Sequence, residues 1–207
     1  TVTYVLSRFT RNQVFSSEPD EFEPFDAVLD GQVCVLALDK LGDDENLKNA
    51  VVALFLDLYR DFILRSFADG EFQEGDLQLR PVNSFLVIDE AMNIIPFEFS
   101  SLERILRESR SRGAGAIMAT QLIEDFDRGG DIEYNQLLGS WLVHRSITAT
   151  SQQLRSLGFT EATDGNAADV RRLEMFNAYY SSLHFSGRFI RTEPFHELEH
   201  KAQKKSD

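Results

Sequence analysis

Apolar residues fall along this chain in short unbroken runs separated by stretches of helical spacing. Phe85-Leu86-Val87-Ile88 runs directly into Asp89-Glu90. Such a run is too short for a typical helix and rich in β-formers, so it predicts a strand buried on both faces, with two carboxylates where it ends. Val33-Cys34-Val35-Leu36-Ala37-Leu38 predicts a second buried strand, ending in Asp39. Gly115-Ala116-Ile117-Met118-Ala119, followed by Thr120-Gln121, predicts a third, and Trp141-Leu142-Val143-His144-Arg145 a fourth.

The intervening segments carry helix signals. Asp43, Asp44 and Glu45 favour a helix start, and Leu47, Val51, Leu54, Phe55, Leu58 and Phe62 follow with helical spacing. Ser100 and Glu103 have capping-box spacing ahead of Leu102, Ile105 and Leu106, and Gly113 is the expected stop. Further helices are expected near residues 132–138, from Thr150 to Gly158, and over 169–176, before a hairpin spanning 179–191. Residues 2–6 are β-prone, 18–24 read as an acidic proline-broken loop, 66–83 as a loop, and the tail from Glu197 is polar. Strands alternating with covering helices predict a single α/β domain with a mostly parallel sheet. Its expected division is a peripheral strand and loop (1–27), a core (28–192) and a tail (193–207).

Composition narrows the partners. In 207 residues, 43% hydrophobic content with 17 Phe is ample for a packed core. A formal net charge of -13 argues against a broad nucleic-acid grip and leaves room only for a local basic lining. The single Cys34 excludes a disulfide framework and points to a reducing cytoplasm. No apolar stretch approaches the ~18 residues of a membrane span. The chain begins with Thr rather than Met, as expected of a processed product or a fragment.

The candidate chemistry lies at strand ends. Open parallel sheets bind ligands beyond the carboxyl edge, where one carboxylate can hold Mg²⁺ and its neighbour orient or deprotonate a water. Arg104, Arg107, Arg110 and Arg112 form a basic helical face in an otherwise acidic chain. Asp39 suits the organisation of its following loop. His144, His184, His196 and His200 lack metal-ligand spacing.

Taken in order, these motifs resemble the HerA/FtsK group of RecA-like P-loop ATPases, which translocate DNA through hexameric rings. Phe85-Leu86-Val87-Ile88-Asp89-Glu90-Ala91 resembles a Walker B strand, Arg107-Glu108-Ser109-Arg110-Ser111-Arg112-Gly113 the Arg-rich turn before the sensor strand, and Ala119-Thr120-Gln121 the sensor motif. The resemblance runs from about residue 28 to 192, with softer similarity at Asn135 and the Trp141 strand. It implies a RecA-like three-layer sandwich with a C-terminal β-hairpin. Implied roles are Asp89 on Mg²⁺, Glu90 as the catalytic acid-base group, Thr120 and Gln121 toward the γ-phosphate or attacking water, and Arg110 or Arg112 as a finger acting in trans. The implied cofactors are ATP and Mg²⁺; the implied partners are further copies in a ring, DNA, and nuclease or other subunits of a restriction or antiphage system.

One motif departs from the group. No G-x-x-x-x-G-K-[ST] occurs in these residues, so the backbone cradle, lysine and hydroxyl that hold the phosphates are missing, together with the strand that leads into them. The chain is therefore expected to be the C-terminal part of a larger ATPase. Two other readings stay open: an inactive, P-loop-less assembly module, and a metal-dependent nuclease using Asp39, Asp89 and Glu90.

Overall fold

The computed structural model describes residues 24–67, 82–128, 130–182, 185–192 and 194. The expectations at 2–6 and 18–23, most of the 66–83 loop, and the tail from Glu197 lie outside them. The fold is mixed α/β, with a two-stranded parallel sheet and a three-stranded antiparallel sheet. The expected mostly parallel sheet is corrected accordingly. The chain groups into two compact units, residues 1–119 and 120–207.

In the first unit, helix α1 (Pro24–Leu29) sets Phe25 against the rings of Phe55, Tyr59 and Phe62 on helix α2 (Glu45–Ser66), with centroids 5.7, 6.0 and 5.1 Å away. Asp44 caps α2 by accepting from the Leu47 amide at 3.3 Å. The buried stripe passes through Leu56, Tyr59 and Ile63, while Leu54 and Leu58, expected inside, are exposed. Tyr59 fixes that rotation, because its hydroxyl meets Ser84 Oγ at 3.0 Å on the sheet.

Strands β1 (Ser84–Ile88) and β2 (Ala114–Met118) pair in parallel, Ser84 opposite Ala114 and Ile88 opposite Met118. Helix α3 (Ser100–Glu108) connects them, and a 3₁₀ turn (Ser109–Arg112) ends at Gly113, whose φ of 69° needs no Cβ. Arg60 Nη2 to Glu108 Oε2 (2.8 Å) and Ser101 Oγ to Asp57 tie α3 to α2. The capping box expected at Ser100 does not form: Phe99 is the N-cap, and Glu103 instead pairs with Arg107 at 2.9 Å.

Burial corrects two strand expectations. β1 buries only Ser84 and Leu86, leaving Phe85 and Val87 56% and 64% exposed, because packing reaches one face and nothing among the described residues covers the other. Residues 32–37 form no strand, and Val33 and Val35 are 88% and 82% exposed. A strand needs a ladder partner, and none among the described residues pairs with this segment; Leu38 opens a 3₁₀ turn instead (Leu38–Leu41).

The second unit holds a 3₁₀ turn (Ile123–Arg128) and helices α4 (Tyr134–Leu137), α5 (Ser151–Ser156) and α6 (Asp164–Arg171). Strands β3 (Ser140–Val143), β4 (Asn177–Ser182) and β5 (Phe185–Arg191) form its sheet. The Trp141 strand and the C-terminal hairpin are present, but β3 pairs antiparallel with β4, so it does not extend a parallel sheet. The Thr150–Gln153 capping box forms as expected. The helix expected over 169–176 starts earlier, because Thr163 and Asn166 make a second box and Phe176, at φ 66°, turns the chain into β4. Tyr179 stacks between Phe159 and Phe189, each at 4.5 Å, and Phe126 meets Trp141 edge-on at 4.9 Å.

Candidate functional site

The acids follow β1 at the carboxyl edge of the parallel pair. Pairing continues past the strand: the Ala119 amide donates to the Ile88 carbonyl at 2.9 Å, and the Ala91 amide to the Ala119 carbonyl at 2.7 Å. Asp89 and Glu90 are thus thrown outward between two pinned positions, and both are exposed. Buried Ala91, Ile94 and Ile95 anchor the chain that follows.

Glu90 sits in left-handed backbone, φ 50° and ψ 46°. That geometry costs a residue with a Cβ about 1–2 kcal/mol, since the Cβ crowds the following carbonyl. Local bonds hold it there. Its amide donates to Asp89 Oδ1 at 2.9 Å, its carbonyl accepts from the Asn93 amide at 2.9 Å, and its Oε2 accepts from Asn93 Nδ2 at 3.3 Å. Backbone strain of this kind persists where surrounding structure enforces it, and it gathers at functional sites.

The donor set fits Mg²⁺. Asp89 spends Oδ1 on the Glu90 amide and leaves Oδ2 without a hydrogen bond among the described residues. Mg²⁺ characteristically takes one or two carboxylates together with substrate phosphates and water, so it does not require an all-protein cage. Among the described residues, no group of three or more His, Cys, Asp or Glu side chains could hold a metal ion by itself.

The four arginines have separate fates. Arg107 is paired with Glu103, and Arg104 is exposed. Arg112 is half-buried, its Nη1 donating to the Phe67 carbonyl at 2.6 Å while its own carbonyl accepts from Asn83 Nδ2 at 2.9 Å. Arg110 is exposed; its carbonyl accepts from the Gly113 amide at 3.2 Å, but its guanidinium makes no hydrogen bond or ion pair among the described residues and is available. Asp39 lies exposed beside Lys40, 3.8 Å away.

In the second unit, Thr120 and Gln121 lead into the 3₁₀ turn. Thr120 Oγ1 donates to Asp125 Oδ2, which also accepts the Leu122 amide at 3.2 Å, while Arg128 Nη1 lies 3.1 Å from Asp125 Oδ1. Asp125 is 1% exposed, whereas Gln121 is exposed and makes no hydrogen bond among the described residues. His144 is structural, its Nδ1 meeting the Asn177 carbonyl at 3.1 Å; His184, His196 and His200 lie outside the described residues.

Sequence reasoning missed Asn93 and Asp125. Asn93 carried no signal beyond its spacing of three from Glu90, and Asp125 lies in an irregular Asp- and Gly-rich stretch, residues 124–131, with no periodicity to single it out. No protein-family model matches the chain, and no curated protein matches it either.

Proposed function

We propose that this chain is part of an ATP-hydrolysing, DNA-translocating motor of the HerA/FtsK type with a RecA-like architecture, working as a ring in DNA processing or defence. The observation that carries the reading is Glu90: a strained, exposed glutamate beside Asp89 at the carboxyl edge of parallel strands. A residue type disfavoured in that backbone, held by its neighbours and solvated, suits a chemical role better than a packing role.

In this reading Glu90 orients the attacking water and takes up its proton, with Asn93 limiting the carboxylate's rotation. Asp89 holds Mg²⁺, which when bound supplies positive charge to the phosphate oxygens. Thr120 and Gln121 respond to the γ-phosphate or the water. Arg110, rather than the tethered Arg112, reaches the nucleotide of a neighbouring copy, since its head is available to swing. The lysine and amide cradle come from a G-x-x-x-x-G-K-[ST] segment outside these 207 residues.

The lack of that motif in these residues also favours a second reading, an assembly module whose partner hydrolyses ATP. DNA-stimulated ATPase activity of the product of the complete reading frame separates the two. The motor reading predicts MgATP turnover that rises with duplex DNA, and negligible MgATP affinity in calorimetry for the 207 residues alone. No turnover from a complete product lacking a phosphate-binding loop would overturn it in favour of assembly.

A further inference from the structure

The carboxylate of Asp125 has no part in the chemistry above, yet it is the charged side chain with the least exposure among the described residues. Burying a carboxylate is costly unless it is hydrogen-bonded or paired, so its partners indicate what it serves. Two of them flank Gln121: the hydroxyl of Thr120 and the amide of Leu122. The third, Arg128, is 55% exposed on its side chain and contributes little as a surface partner.

The carboxylate is itself held firmly. Its turn is pinned by buried Ile123 and Phe126, the latter against Trp141. Glu124 accepts from Gln153 Nε2 at 3.2 Å, and that same Gln153 closes the capping box of α5. A fixed anion therefore clamps the residues before and after Gln121 while the Gln121 side chain stays solvated.

We propose that Asp125 is the positioning residue for Gln121, fixing the 120–122 turn so that the Gln121 amide is presented in one orientation. The proposal rests on Gln121 acting in ATP hydrolysis as read above. Asp125 touches no substrate; removing it frees the turn, and misplacement of a reacting-site group by about 1 Å can cost as much as ~10²-fold in rate.

The test has two arms. In the 207-residue chain without nucleotide, hydrogen exchange read by NMR should show the Leu122 amide protected, with protection lost in Asp125→Ala and kept in Arg128→Ala. A Leu122 amide that exchanges freely in the wild type overturns the clamp whatever the chain does with ATP. In the complete protein, Asp125→Ala should lower kcat roughly 10- to 100-fold with little change in KM for ATP. Adding it to Gln121→Ala should lower kcat no further, the non-additivity expected of residues acting as a unit. Asp125→Glu, which keeps the charge but moves it by one methylene, gives the same cycle if Asp125→Ala proves unfolded by Trp141 fluorescence. An additive loss, or full turnover in a folded Asp125→Ala whose Leu122 amide has lost protection, overturns positioning and leaves the ATPase reading standing. Full turnover in Gln121→Ala overturns both the sensor role and this proposal.

Discussion

At residue 90 the usual order of alanine and glycine should invert. In ordinary helix or strand backbone, glycine is less stable than alanine by roughly 0.5–1 kcal/mol, because it loses more freedom on folding. At φ 50° and ψ 46°, a side chain with a Cβ suffers about 1–2 kcal/mol of crowding that glycine escapes. Glu90→Ala and Glu90→Gly both remove the carboxylate and its bond to Asn93, so those losses cancel in the comparison. The difference leaves Glu90→Gly more stable than Glu90→Ala by roughly 0.5–1 kcal/mol. Urea unfolding followed by far-UV circular dichroism, to which the 22-residue α2 of the same unit contributes, provides the measurement. The two variants must share the same m-value for the comparison to hold. Glu98, at φ 49° and ψ 46°, should show the same order and serves as an internal control away from the acid pair. An alanine variant at least as stable as the glycine variant at residue 90 would mean that the backbone there is not strained.

Further substitutions have expected outcomes. Gly187→Ala should destabilise by roughly 2–4 kcal/mol, since a Cβ at φ 86° meets the Tyr179 ring, 2.7 Å from Cζ, and that ring is clamped by Phe159 and Phe189; Gly158→Ala, at φ 85° with open space, should cost only about 1–2 kcal/mol, both read by Trp141 fluorescence. Burial pushes the Tyr59 hydroxyl above its ordinary pKa, with the Ser84 bond acting weakly the other way. The folded state thus holds that proton more tightly, and this contribution is complete below about pH 10 and lost as pH rises further. Tyr59→Phe should flatten the alkaline fall in urea midpoint while costing about 1 kcal/mol at neutral pH, as Ser84 Oγ loses its partner. Arg112→Ala should lower stability by about 1 kcal/mol through the lost bond to the Phe67 carbonyl. Arg110→Ala should leave stability within about 0.5 kcal/mol and abolish hydrolysis, which co-assembly with Glu90→Gln subunits should restore; no restoration in a confirmed assembly would place the arginine's action within its own subunit or on DNA.

The sequence revealed elements whose signals are local. The Asp44 cap, the Thr150–Gln153 box and the Gly113 stop each depend on a few neighbouring residues, and each formed; the C-terminal hairpin formed too, but with β4 ending at Ser182 and β5 starting at Phe185, so that Gly187 lies within a strand and not at the turn. The acid pair was legible for the same reason, because an apolar run breaking into Asp89-Glu90 places polar groups at a strand end wherever that strand lies. What failed depended on tertiary partners. Burial of Phe85 and Val87 requires a second packing layer, and a strand at residues 33–38 requires a neighbour with free backbone groups. The pairing direction of Trp141 was likewise invisible, since β3 meets β4 across more than 30 residues of chain. Asp125 drew no reading because nothing sets it apart from the other acids of the irregular Asp- and Gly-rich stretch 124–131, whereas a single carboxylate can be buried once Thr120, Leu122 and Arg128 converge on it.

If the Glu90 carboxylate activates water, Glu90→Gln in the complete protein is the substitution that exposes it. The substitution keeps the shape, the left-handed backbone and an oxygen for Asn93, and removes only the charge. Single-turnover ATP hydrolysis should fall on the order of 10²-fold or more while ATP affinity is retained. Hydrolysis at the wild-type rate by a folded, ATP-bound Glu90→Gln protein would contradict it.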